Sequence, residues 1–232
     1  KGWFVYGVVG ANVYIFYRWQ QLFVTSPHKY HHNAFSSGRH RVLGMPDPNA
    51  SFLERHFTVS LPNWDAGRWW TALTSSVSHI DLLHLSFTLV SFVTAATQAI
   101  DVGISNGHLL ALCAGSAVAG SLAKLWDDER RAKQQPSISG GRIIQTTRPP
   151  PTKQLRASLG GSAMCMGLYT MLACMFPHTK SRITWAFIPI MDVESWAMPL
   201  VHLGISGLLM NYGIATDDQA NALGGLVFGA VY

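Results

Sequence analysis

Charge is what this sequence has least of. Asp, Glu, Lys and Arg make up 12% of its 232 residues while 48% are hydrophobic, against about 25% charged in an average soluble domain. That shortage leaves too few ionic groups to solvate the surface of a water-soluble domain of this size. Cysteine is scarce too. Cys113, Cys165 and Cys174 all fall in apolar stretches and form no Cys-x-x-Cys pair, which excludes a disulfide framework and a cysteine zinc site and leaves them as packing residues. Segments of about ten residues alternating apolar with polar are absent, so a membrane β-barrel is excluded as well. The net charge of +5 does not indicate a nucleic-acid partner, because the basic residues sit between the apolar stretches without an aromatic-basic groove pattern. No paired repeats or interrupted helices of the kind transporters use are visible, which argues against a solute carrier.

What is present is a set of long windows without a formal charge. Residues 82–100, 102–123, 157–177 and 195–216 contain no Asp, Glu, Lys or Arg, and about 20 apolar residues suffice for a helix to cross a bilayer. Two shorter windows, 2–17 and 220–232, lie at the limits of the sequence and read as spans also. Only helices or closed barrels satisfy their backbone groups in lipid. The sequence therefore predicts an all-α, polytopic, six-helix transmembrane bundle forming one domain over 1–232, with loops at 18–81 and 124–156. The excess of Lys and Arg in 18–68 and 124–156 assigns those loops to the matrix or cytoplasmic side. The chain's first residue, Lys1 and not an initiator Met, then lies opposite, which leads us to expect a further helix and targeting information upstream.

The loops carry few chemical signals. His28, His31 and His32 lack Cys or carboxylate partners at ligand spacing and read as solvated side chains; no metal and no cofactor are expected. Trp64, Trp69 and Trp70 predict a segment at the headgroup level, where an indole accommodates both lipid and water. Residues 124–156 mix a charged run with Gly140, Gly141 and Pro149-Pro150-Pro151 and read as a flexible loop. The triplet Asn49-Ala50-Ser51 fits a glycosylation pattern but falls on the side where that modification does not occur.

The chemistry sits at the heads of the spans. Leu159-Gly160-Gly161-Ser162-Ala163-Met164 opens one span with small residues around a single hydroxyl. Asn221-Ala222-Leu223-Gly224-Gly225-Leu226-Val227-Phe228-Gly229 forms the last, and His79, His84 and Thr88 stand five and four residues apart at the head of another. Together these resemble the rhomboid intramembrane serine proteases. Gly10-Ala11-Asn12-Val13 and Phe187-Ile188-Pro189-Ile190-Met191 look like the mitochondrial, presenilin-associated type, so the resemblance covers nearly the whole chain. It implies a nucleophile position at Ser162, a base position at 222, and an oxyanion region formed by residues 79, 84 and 88. Independently of it, Gly160, Gly161, Gly224, Gly225 and Gly229 read as close helix contacts, since small residues let helices approach in lipid.

Two departures matter more than the matches. The base position holds Ala222 where the family has His, and the oxyanion position holds Thr88 where it has Asn. A serine hydroxyl is a weak nucleophile until a neighbouring base takes its proton, which a methyl group cannot do. The resemblance thus implies a pseudoprotease of the mitochondrial inner membrane. Such a protein would bind or scaffold transmembrane segments of partner proteins, in contact with membrane lipid and as a subunit of a larger translocation or quality-control complex. The rival is an active protease in which His202 or His84 serves as the base. His202 lies beside Gly204-Ile205-Ser206-Gly207, which repeats the nucleophile pattern but reads more simply as another helix contact.

Overall fold

The computed structural model describes residues 2–25, 51–134, 137–139, 142–144, 157–185, 188–212 and 219–232. His28, His31, His32, Asn49, Gly140, Gly141, Pro149 to Pro151 and Phe187 lie outside them. Among the described residues six long helices carry the fold: α1 (Trp3–Thr25), then, after three short helices, α5 (Leu82–Asp101), α6 (Asn106–Gln134), α7 (Ser162–Met175), α8 (Met198–Asn211) and α9 (Gln219–Val231). The architecture is the all-α bundle expected. By length and composition α5 and α6 are each able to cross a membrane, and α7 and α9 are shorter apolar helices.

α7 is the axis. Every side chain from Ser162 to Leu172 is buried, as befits a helix apolar on all sides. α5, α6, α8 and α9 pack around it. Phe92, Leu109, Leu112, Leu168 and Leu172 fill the central core with Phe4 and Val5 of α1. A second cluster joins Ile15, Trp19 and Phe23 of α1 to Leu53, Ile80 and Leu159. There the Trp19 indole N–H donates to Ser78 Oγ at 2.8 Å.

Three regions differ from the sequence reading. The segment read as a loop over 18–81 begins inside α1, which runs to Thr25, and later folds into α2 (Phe52–His56), α3 (Leu61–Asp65) and α4 (Thr71–Thr74) with a 3-10 turn, Ser75–Val77. Local capping explains the first two of these short helices. Ser51 and Glu54 form a reciprocal capping box at α2, and Ser60 caps α3, whose first turn holds Pro62. Within this segment Trp69 is exposed, whereas the Trp70 indole stacks on His56 and donates to its Nδ1 at 3.1 Å.

The second difference is α6, which continues through the charged run to Gln134 where a flexible loop was expected. Charge spacing explains this. Lys124–Asp128, Asp127–Arg131 and Glu129–Lys133 are ion pairs four residues apart, the spacing that supports an exposed helix. The first pair is buried, and Ser121 Oγ donates to the Ala72 carbonyl at 2.8 Å, so this half of α6 is clamped to α4. The third difference is two small antiparallel hairpins, β1 (Ser137–Ser139) with β2 (Arg142–Ile144) and β3 (Lys180–Trp185) with β4 (Ile188–Glu194). The β3–β4 hairpin is tied to the end of α5 through Gln98, which donates to Ser195 Oγ at 3.1 Å and accepts from Ser181 Oγ at 2.7 Å.

Candidate functional site

Ser162 is the first residue of α7 and is buried at 4% exposure. The strand of backbone that delivers it is fixed from several sides. Ser158 bridges Val59 in antiparallel fashion, and the Gly160 N–H donates to the Ser75 carbonyl at 2.9 Å. Gly160 has φ +128°, a backbone conformation that residues with a Cβ rarely adopt. The turn before Ser162 therefore depends on that glycine.

His79, His84 and Thr88 converge on this turn. His79 and His84 are buried with ring centroids 4.8 Å apart in an edge arrangement, and His79 Nε2 accepts a long hydrogen bond from the Gly161 N–H at 3.4 Å. Accepting at Nε2 leaves Nδ1 as the protonated nitrogen of a neutral ring. Thr88 stands one helical turn beyond His84, and a Cβ added at Gly161 would lie 2.8 Å from its methyl and 3.1 Å from the Ser76 carbonyl. Gly161 is thus required by space, whereas Gly160 is required by conformation. Ser75 and Ser76, which shape this turn from the 3-10 segment, carried no motif by which to find them in the sequence.

α9 reaches the same place from the other side. A Cβ on Gly225 would lie 2.2 Å from the Ala163 carbonyl oxygen, and one on Gly229 would lie 2.3 Å from that of Gly167. The two contacts share one offset in numbering, so α9 and α7 run parallel. Carried one turn back, the register sets Ala222, itself buried at 1%, level with the Gly160–Ser162 turn. Gly224 faces elsewhere: its Cβ would lie 2.5 Å from the Ala119 carbonyl oxygen of α6. The head of α7 thus has two imidazoles and a threonine on the α5 side, and the register sets Ala222 of α9 at its level.

His202 is held apart from this cluster's hydrogen bonds. It is buried in α8, its ring stacked 5.0 Å from Phe87 and tilted 5.7 Å from Tyr169, and neither ring nitrogen has a hydrogen-bond partner. As placed, it does not accept a proton from Ser162. Among the described residues no three His, Cys, Asp or Glu side chains group as metal ligands.

Comparison with known proteins gives the chain its relatives. A family profile described as a rhomboid domain matches residues 66–232. RHOMBOID-like protein 12, mitochondrial, of Arabidopsis thaliana is 25% identical over 183 residues, covering 79% of this chain and 51% of its own length. The chain thus spans about half the length of that relative. No solved structure matches.

Proposed function

Because the chain belongs to the rhomboid family, we propose that it is a pseudoprotease: a membrane protein that keeps the family's bundle and the serine at the head of α7 and uses them to bind transmembrane helices instead of cleaving them. The observation that carries this reading is Ala222. It is buried, and the α7–α9 register sets it level with the turn that leads into Ser162, at the position where the resemblance expects the base. In a soluble serine protease, loss of the base costs about 10⁶-fold in turnover, roughly 8 kcal/mol of barrier. Loss of one oxyanion donor costs a further ~10²–10³-fold, and Thr88 in place of Asn adds part of that.

Binding does not need these groups. Ser162, His79, His84 and Thr88 make a buried polar cluster within an apolar bundle. Intramembrane polar groups are expensive and mark sites of function. Helices with small or polar residues are poorly accommodated by lipid alone and associate through such groups. The clients are therefore transmembrane segments of that composition. The mitochondrial designation of the Arabidopsis relative supports a place in the mitochondrial inner membrane, as a multi-pass subunit of a complex for protein translocation or quality control.

Two measurements test this. A fluorophosphonate probe applied to the purified protein in lipid leaves Ser162 unlabelled, and labelling there abolished by Ser162→Ala refutes the pseudoprotease. A fluorescent transmembrane peptide with a Gly- and Ser-rich face associates with the protein in vesicles by energy transfer; no association above a protein-free control refutes helix binding.

A further inference from the structure

The last three turns of α1 carry hydrogen-bond donors with protons left over. Arg18 is the first formal charge after the charge-free window 2–17, so its guanidinium marks the depth at which α1 leaves the hydrocarbon. Tyr14 and Tyr17 beside it are exposed, as tyrosines at a membrane interface are. The guanidinium gives one N–H to the Tyr14 hydroxyl at 3.0 Å, and Gln21 Nε2 donates to the Tyr17 hydroxyl at 2.8 Å. A guanidinium has five N–H groups, and a tyrosine hydroxyl that accepts still has its own proton to give. Among the described residues no carboxylate pairs with Arg18, and neither tyrosine proton has an acceptor.

These donors border a cavity and a furrow. The end of α1 and the start of α2 flank an open cavity of about 680 Å³, with polar walls from Tyr17, Arg18 and Gln21 and apolar walls from Val24, Phe52 and Leu53. That volume lies within the range of small-molecule sites, about 300–1,000 Å³. In the other direction Gly10 and Gly7 continue the face of Arg18 and Tyr14 at the three- and four-residue spacing that keeps one side of a helix. A Cβ on either glycine would meet nothing within 4 Å. Their missing side chains leave a furrow beside the exposed Tyr6 and Val13. One face of α1 thus joins a donor-rich head to an apolar track.

We propose that α1 and α2 form a binding site for one anionic glycerophospholipid, its phosphodiester held by the Arg18 guanidinium and the Tyr14 and Tyr17 hydroxyls and an acyl chain laid along Gly10 and Gly7. A phosphodiester carries a negative charge and only accepts hydrogen bonds, and a guanidinium presents it with a planar fork of donors. A choline or ethanolamine headgroup would bring a second cation beside Arg18, and the carboxylate of Glu54 on α2 is already engaged by the Ser51 N–H at 2.6 Å. Free phosphate would use the donors but leave the apolar wall and the furrow bare. The excess of Lys and Arg over 18–68 assigns this end of α1 to the matrix or cytoplasmic side, where basic sites between helices meet anionic headgroups. The site needs neither Ser162 nor a docked client helix.

The experiment labels the full chain in phosphatidylcholine vesicles with phosphatidylglycerol or phosphatidylcholine carrying a diazirine in one acyl chain, and maps the adducts by mass spectrometry. Phosphatidylglycerol marks α1 between Gly7 and Tyr17, or Phe52 of α2, in the unmodified protein, a readout that does not depend on any variant folding. The phosphatidylcholine probe marks the same residues about five-fold less, the factor that one interfacial cation supplies. Excess unlabelled phosphatidylglycerol competes, and inorganic phosphate at the same concentration does not. Arg18→Gln abolishes the preference, whereas Arg131→Gln, at an exposed cation of α6, keeps it. Tyr14→Phe combined with Tyr17→Phe keeps both rings and lowers labelling by phosphatidylglycerol. Equal labelling by the two probes, a preference that survives Arg18→Gln, labelling undiminished in the double Phe variant, or adducts confined to other helices overturns the site. Competition by inorganic phosphate shows an anion site that does not select lipid and overturns it as well.

Discussion

Replacing Gly225 with Ala separates two helices at a point where neither has room to yield. The added methyl carbon would lie 2.2 Å from the Ala163 carbonyl oxygen and 2.7 Å from the Ala163 Cα, about 1.2 Å inside ordinary van der Waals contact. Both atoms are backbone of the most buried helix in the bundle, so relief comes only from moving α9 off α7. Gly229, one turn on, is seated as tightly on Gly167, so the two contacts must open together. Overpacking of this kind costs about 1–3 kcal/mol, and exchanging Gly for Ala within a helix returns up to ~1 kcal/mol of it. The net expectation is a loss of up to about 2 kcal/mol relative to the parent. Gly204→Ala is the control, since its Cβ meets nothing and only the helix-propensity gain remains. Unfolding of the two variants and the parent in mixed micelles, followed by far-UV circular dichroism, gives the comparison. A Gly225→Ala protein as stable as the Gly204→Ala protein would refute the parallel α7–α9 register and with it the level assigned to Ala222.

Three further outcomes follow from the same geometry. Ser78→Ala strands the fully buried Trp19 N–H and lowers stability by about 1–3 kcal/mol; Trp19→Phe in the same background recovers part of that loss, and no recovery would contradict the pairing. Lys124→Ala removes the buried partner of Asp128 and costs about 3–5 kcal/mol, whereas Lys133→Ala, which breaks an exposed pair, costs no more than ~0.5 kcal/mol in the same unfolding assay. His56 accepts from the Trp70 indole, and burial, with Arg68 and Arg55 adding to it, holds its pKa below the ordinary 6.5. A folded pKa below the unfolded one means that the folded state favours the neutral ring. The contribution is then complete above pH 6.5 and is lost as pH falls below it, and the His56→Phe protein has the flatter stability profile between pH 7 and pH 5, on the order of one hydrogen bond, ~1 kcal/mol, in size.

How far the molecule was legible in its sequence depends on the range of the interaction concerned. The charge-free windows mark the long helices because the bilayer imposes one length and one composition on any spanning helix. The second half of α6 was missed because Lys124 to Lys133 reads as solvated loop by composition; the helix is written there in the four-residue spacing of Lys124–Asp128, Asp127–Arg131 and Glu129–Lys133. The β3–β4 hairpin left no alternation strong enough to separate it from a polar connection between spans. At the site, Ser162, Ala222, His79, His84 and Thr88 were named through their resemblance to rhomboid motifs, and the close approach of α7 and α9 follows from glycines that were legible as helix contacts. The Phe87–His202 stack and the Trp19–Ser78 bond join residues far apart in the chain, and no local pattern carries such a pairing. His202 in particular was weighed as a substitute base, whereas its ring packs against Phe87 of α5 and Tyr169 of α7 instead.

The measurement that bears most directly on the central claim is cleavage of a model transmembrane substrate by purified protein in lipid. It compares the natural chain, Ser162→Ala, Ala222→His combined with Thr88→Asn, and that pair with Ser162→Ala added. The account predicts no serine-dependent product from the natural chain and product from the restored double variant that disappears when Ser162 is removed. Cleavage by the natural chain that Ser162→Ala abolishes would contradict it.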